Sequence, residues 1–189
     1  MAESPVVVVT GPSGAGKGTL ESVVLARMPE LALAISATTR PRRATEENGR
    51  EYWFIPLEEF ERRVREGEFL EWVTYVSGHR YGTLRSEIDR IRGLGKVPLL
   101  DLEIEGALHV RDTVDGAVTI FVDAPSFAEL ERRLRDRATE SSGEIHERLE
   151  LAREQQKQAG EFDHVIVNDD VERAADELQA IVEGALHRV

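Results

Sequence analysis

Val6 to Val9 is a run of four valines, too short for a helix and apolar at every position. That is the pattern of a strand covered on both faces. A glycine-rich stretch follows. Leu20, Val24 and Met28 then recur at i, i+4 and i+8 before Pro29, which predicts a helix from about Lys17 to Met28. Leu33 to Ala37 predicts a second strand. From Thr38 to about Thr83 the character changes to a polar, Gly-containing stretch. It holds an aromatic cluster (Tyr52-Trp53-Phe54), a short helix near Leu57 to Arg65 and a strand from Phe69 to Val76. Regular alternation then returns, with strands at Val97 to Leu102 and Val118 to Val122 and a short helix at Glu105 to Arg111 between them. Phe127, Leu130 and Leu134 mark the next helix. The polar stretch Arg137 to Glu144 reads as a mobile loop, and Ile145, Leu149 and Ala152 open another helix. His164 to Val167 predicts a last strand, and Val171 to Leu186 a terminal helix with Ala174, Leu178, Ile181 and Ala185 facing inward.

Strands alternating with helices imply βαβ units and a mostly parallel sheet with helices on both faces. Ligands bind such sheets at the carboxyl ends of the strands, so chemistry is expected just after Val9, Ala37, Leu102 and Val167. A chain of 189 residues suits one domain with inserted lobes. With 41% hydrophobic and 32% charged residues it reads as soluble and folded. Its longest apolar run, Leu31 to Ile35, is far short of a membrane span. The absence of cysteine removes disulfides and points to a cytoplasmic address. The net charge of −12 argues against a general nucleic-acid or membrane-surface binder. Yet the 24 basic residues include only three lysines, Lys17, Lys96 and Lys157, and the arginines cluster at Arg40, Arg42, Arg43 and at Arg132 to Arg137. Local arginine clusters in an acidic chain fit small phosphate ligands held in pockets.

Gly11-Pro12-Ser13-Gly14-Ala15-Gly16-Lys17 has the phosphate-loop spacing between the predicted first strand and first helix. Glycines let successive N–H groups converge on one phosphate, the helix adds its positive end, and Lys17 reaches the β- and γ-phosphates. The residue after the lysine, usually a magnesium-binding Ser or Thr, is Gly18, with Thr19 one place late. Magnesium is therefore expected to be held by nucleotide phosphates and waters, with carboxylates elsewhere assisting.

Further motifs in order resemble the guanylate kinase family. They are Ser36-Ala37-Thr38-Thr39-Arg40 with Arg43, Asn48-Gly49 leading to Tyr52-Trp53-Phe54, Phe69-Leu70-Glu71-Trp72, Tyr81-Gly82-Thr83, Leu100 to Gly106, Arg133-Leu134 with Arg137, Ile145 with Arg148, and Val167 to Asp170. The resemblance runs from about Val6 to Asp170 and implies transfer of the ATP γ-phosphoryl group to GMP (and dGMP). It implies a P-loop NTPase-type α/β core (about 1–37, 84–136 and 160–189), a mixed α/β GMP-binding lobe (about 38–83) and a helical lid (about 137–159).

On that resemblance Glu71 reads guanine. The base offers two donors on one edge, N1–H and the exocyclic amine, and a carboxylate offers two acceptors. Adenine presents an acceptor at N1 and is rejected. Ser36 and Thr83 add hydroxyls to the base. Arg40, Arg43, Tyr52 and Tyr81 clamp the GMP phosphate, with Pro41 one place early so that Arg42 and Arg43 compete for the second contact. Arg137 and Arg148, with Arg133 as a third, close over the transferring group alongside Lys17 and Arg40. In the resemblance's lid pattern Gly follows the second arginine; here Ala138 does, a change expected to stiffen the hinge. Asp101 and Glu103 face the phosphate loop as candidates for the GMP end and for magnesium's waters, and Asn168 contacts adenine. Five unpaired histidines make a zinc site unexpected. The substrates implied are ATP and GMP, with no nucleic acid or membrane partner, in a monomer or homodimer. Two alternatives stand beside this reading. One is a kinase for another phosphorylated acceptor, since Gly18-Thr19 resembles adenylate kinases. The other is a guanylate-kinase-like binding module, against which the intact loop lysine argues.

Overall fold

The computed structural model describes residues 5–75, 77–137 and 142–187. The chain runs β1 (Val7–Thr10), α1 (Lys17–Arg27), β2 (Leu31–Leu33), β3 (Ala37–Thr38), β4 (Trp53–Phe54), α2 (Leu57–Arg65), β5 (Phe69–Thr74), β6 (Arg80–Leu84), α3 (Arg85–Gly93) and β7 (Val97–Asp101). It continues through α4 (Ile104–Thr113), β8 (Val118–Asp123), α5 (Phe127–Arg137), α6 (Ser142–Gln156), a 3₁₀ turn (Ala159–Glu161), β9 (His164–Val167) and α7 (Val171–Leu186).

The valine run explains the central layer. Val7 and Val9 pack with Leu20, Val24, Leu178 and Val182 from α1 and α7. Val6 and Val8 pack on the other side with Ile88, Ile91, Ala107 and Val110 from α3 and α4. All four valines are at most 1% exposed, each worth about 1.5–3 kcal/mol of burial. β1 therefore sits in the middle of a five-stranded sheet, order β2-β7-β1-β8-β9, parallel throughout. Val9 lies opposite Asp101, the last residue of β7, and Ile120 on β8, so the ends of β1 and β7 meet beside β8 where the glycine-rich loop begins.

A second sheet, order β4-β3-β6-β5, is mixed. It closes on its own small core of Ala37, Phe60, Phe69 and Leu84. Helices α5 and α6 share a third apolar cluster through Leu130, Leu134, Ile145 and Leu149. Among the described residues no helix is long and apolar enough to cross a membrane.

Four expectations change. The strand expected at Leu33 to Ala37 is a crossing between sheets: β2 ends at Leu33 and β3 begins at Ala37 in the other sheet. The crossing is pinned by Ala34 N–H to Leu99 O (2.8 Å) and Ile35 N–H to Glu87 Oε1 (3.0 Å). An apolar run looks continuous in sequence, and only its partners show that it serves two sheets. Strand β6 and helix α3 follow each other without a loop, a pair that the pattern of charged residues between Ile88 and Ile91 conceals. Strand β5 ends at Thr74, and Val76 lies outside the described residues. Helix α6 starts at Ser142, inside the stretch expected to be a loop. Residues 138–141, with the Ala138 hinge position, lie outside the described residues.

Candidate active site

The loop between β1 and α1 is narrow because two strand ends crowd it. Gly11, Gly14 and Gly16 have φ of 139°, 92° and 88°, a region L side chains rarely adopt. A Cβ on Gly11 would stand 2.0 Å from Val122 O, and one on Gly16 2.5 Å from Asn168 Nδ2. Asn168 Nδ2 donates to Ala15 O (2.9 Å), and Arg133 bridges Ala15 O (3.4 Å) and Asn168 O (3.1 Å). The loop is thus braced from β9 and α5, with the amino end of α1 aimed into it. Lys17 Nζ donates to Gly11 O (2.8 Å). Beside Gly18 the space a Cβ would occupy is open.

Lys17 also lines one end of a cavity of about 190 Å³. Its other walls come from Ser36 on the crossing, Tyr52 before β4, Glu71 and Val73 on β5, Tyr81 on β6, Asp101 at the end of β7 and Glu103 just after it. Glu71 and Thr83 are cross-strand partners on β5 and β6. Thr83 N–H donates to Glu71 Oε1 (2.8 Å), and the carboxyl is 5% exposed. Burial raises its pKa, and Thr83 partly offsets this. The Thr83 hydroxyl leans toward Glu71 and helps lower its pKa, yet it makes no hydrogen bond of normal length, a buried polar atom that a ligand can satisfy. Gly106 on α4 makes room: a Cβ there would stand 2.6 Å from Glu71 Oε2.

Arg40 is held before it meets any ligand. Its Nη1 donates to Pro41 O (2.9 Å) and Glu46 Oε2 (3.1 Å), and its Nη2 to Glu46 Oε1 (2.7 Å). Glu46 also accepts Arg43 N–H (2.8 Å). Of five guanidinium donors, Nε–H and one Nη2–H are not used by Glu46 or Pro41 and lie together on one edge, and the Tyr81 hydroxyl also bears on the group through a hydrogen bond. The guanidinium also lies 5.5 Å from the Tyr52 ring centre and 5.6 Å from that of Phe54. At the far wall the Tyr75 hydroxyl donates to Glu103 Oε1, tying the end of β5 to the start of α4.

A family model described as guanylate kinase matches residues 3–185. The chain belongs to the guanylate kinase family. It is 47% identical over 96% of its length to the guanylate kinase of Rubrobacter xylanophilus, covering 95% of that protein. To that of Thermotoga maritima it is 43% identical over 93% of its length, covering 84%. A crystal structure of guanylate kinase from Anaplasma phagocytophilum superposes with a TM-score of 0.77 at 28% identity, covering 98% of this chain and 87% of that one. Membership makes this chain a nucleotide-binding transferase that phosphorylates GMP with ATP.

The kinase brings Lys17, Ser36, Tyr52, Glu71, Tyr81, Asp101 and Glu103 into one cleft. Arg40 joins it through Tyr52 and Tyr81. Arg42 and Arg43 are both exposed, and Arg42 donates to the Glu46 carbonyl. Arg133 and Asn168 stand against the phosphate loop, with the Asn168 amide nitrogen committed to the loop. Arg148 is exposed on α6, and the Arg137 side chain lies outside the described residues. Sequence reasoning missed Glu46, Glu21 and Gly106. Gly106 stood within the quoted Leu100 to Gly106 motif, but only its distance to Glu71 gives it a purpose.

Proposed function

We propose that the cleft seats GMP with guanine against Glu71 and its phosphate against Arg40 and Arg43, facing ATP on the phosphate loop. The observation that carries this reading is the buried Glu71 carboxyl beside a partnerless Thr83 hydroxyl, in the same cavity as Lys17. Two acceptors match guanine's two donors, and Ser36 and Thr83 add hydroxyls to the base. Arg40 presents the Nε/Nη2 edge to phosphate as a fork, with the Tyr52 and Tyr81 hydroxyls beside it. Arg43 supplies the second guanidinium, since Arg42 is already engaged.

Lys17 and the loop amides of residues 11–19 hold the ATP phosphates. Asn168 keeps Oδ1 for adenine's amine while Nδ2 braces the loop. Arg133, Arg137 and Arg148 surround the transferring group, where fixed positive charge stabilises the transition state. Among the described residues no group of three His, Asp or Glu side chains can cage a metal, and Gly18 offers no hydroxyl. That donor set fits a magnesium ion carried mainly by ATP phosphates and waters, with Asp101 or Glu103 on the cleft wall to assist by holding its waters. When bound, it neutralises phosphate charge. Closure of residues 38–83 and of α6 over the substrates excludes water.

The assigned groups address base and phosphate and leave ribose alone, so dGMP is used alongside GMP for purine nucleotide recycling in the cytoplasm. Measuring ADP release with GMP, dGMP, AMP, CMP and UMP tests the reading. Activity confined to GMP and dGMP is expected, and preference for AMP sinks it.

A further inference from the structure

Of the three glutamates buried among the described residues, two are satisfied. Glu71 has Thr83 N–H, and Glu87 has Arg90 and Ile35 N–H. The third, Glu21, is 4% exposed, and its Oε1 has no hydrogen-bond partner. It sits on α1 one turn beyond Lys17, between Leu20 and Val24, which belong to the core. Lys17 Nζ donates to Gly11 O and forms no ion pair with Glu21. A buried carboxylate oxygen without a hydrogen bond is costly while the group is charged, and taking up a proton lowers that cost.

The charged groups that act on Glu21 come from two elements: Lys17 on α1 and Asp101 at the end of β7. Behind Asp101 stand Glu103 and Tyr52. Asp101 opens to the cleft, whereas Glu21 is buried and does not line it. We propose that Glu21 is a positioning residue that acts as a neutral carboxylic acid, holding a proton beside Asp101 so that the charge of Lys17 stays available to the triphosphate. With the proton in place the group carries one positive charge on Lys17 and one negative on Asp101. Without it, two carboxylates face one ammonium, and the wall of the phosphate site becomes net negative. Burial first, and Asp101 second, push the Glu21 pKa up to about 8, against the opposing pull of Lys17. The site therefore loses its grip on ATP as the solution becomes mildly alkaline, well below the range where an ordinary lysine loses its charge.

This rests on the reading of Lys17 as the triphosphate contact. The test measures the KM for MgATP at saturating GMP between pH 6.5 and 9, for wild-type protein and for Glu21→Gln, which is neutral at every pH. A group with a pKa of about 8 falls from about nine-tenths to about one-tenth protonated between pH 7 and 9, so the wild-type KM rises about tenfold. The variant's KM changes less than twofold over the same range. Parallel rises in both proteins overturn the proposal. In the wild-type protein, the side-chain ¹³C carboxyl shift of Glu21, assigned through its own backbone, supplies a reading that needs no variant to fold. A midpoint near 8 supports the proposal, and a carboxyl already ionised at pH 6 overturns it. Wild-type protein inert toward GMP at every pH would overturn the kinase reading instead, and the NMR midpoint tells the two failures apart.

Discussion

The two ends of the cleft are built on different principles. In the proposed reading the ATP end is a stretch of consecutive residues, 11–19, whose backbone amides meet the phosphates, shaped by glycines with positive φ and braced by Asn168 and Arg133. The proposed GMP end is assembled from side chains spread between Ser36 and Glu103, on two sheets, with strands as short as two residues at β3 and β4. A backbone site needs correct dihedral angles and little else. A side-chain site needs each residue held by others: Glu71 by Thr83 and by the space at Gly106, Arg40 by Glu46. Substitutions at the first end should damage ATP use and turnover, and those at the second should raise the KM for GMP selectively.

Lys17→Ala offers the hardest test of that division. Removing the one lysine shared by both ends is expected to lower kcat on the order of 10³-fold with unchanged circular dichroism; near-normal turnover would remove Lys17 from the chemistry. Glu71→Gln comes next. It places an amide donor against a base that offers donors, so the KM for GMP should rise roughly 10²-fold while that for ATP stays put. Equal effects on both constants would erase the distinction between the two ends. Glu46→Gln should loosen Arg40 and raise the KM for GMP by about fivefold to tenfold. This residue touches no substrate in the reading above, so a kcat loss without a KM change would contradict its role.

Gly106→Ala sharpens the same point from α4. A Cβ aimed at Glu71 Oε2 from 2.6 Å displaces the carboxylate and should raise the KM for GMP several-fold, with Tm nearly unchanged. The smallest effect is expected for Asn168→Ala. Loss of its hydrogen bond to Ala15 O costs about 1 kcal/mol of stability, read as a modest drop in Tm, with a rise of a few-fold in the KM for ATP alone.

The amino-acid order by itself determined the parallel sheet and the phosphate loop. Four consecutive valines demand cover on both faces, and the loop motif acts through contiguous backbone, so both are local properties of the chain. Only the tertiary structure decided which carboxylates are partnered. Nothing in the sequence singles out Glu46, which the structure places on Arg40, or Glu21, which the structure buries with Oε1 unpartnered. The crossing at residues 33–37 was hidden for the same reason. Periodicity reports how apolar a segment is, whereas the sheet it joins, the charge it faces and the room left by a glycine depend on residues far away in the chain.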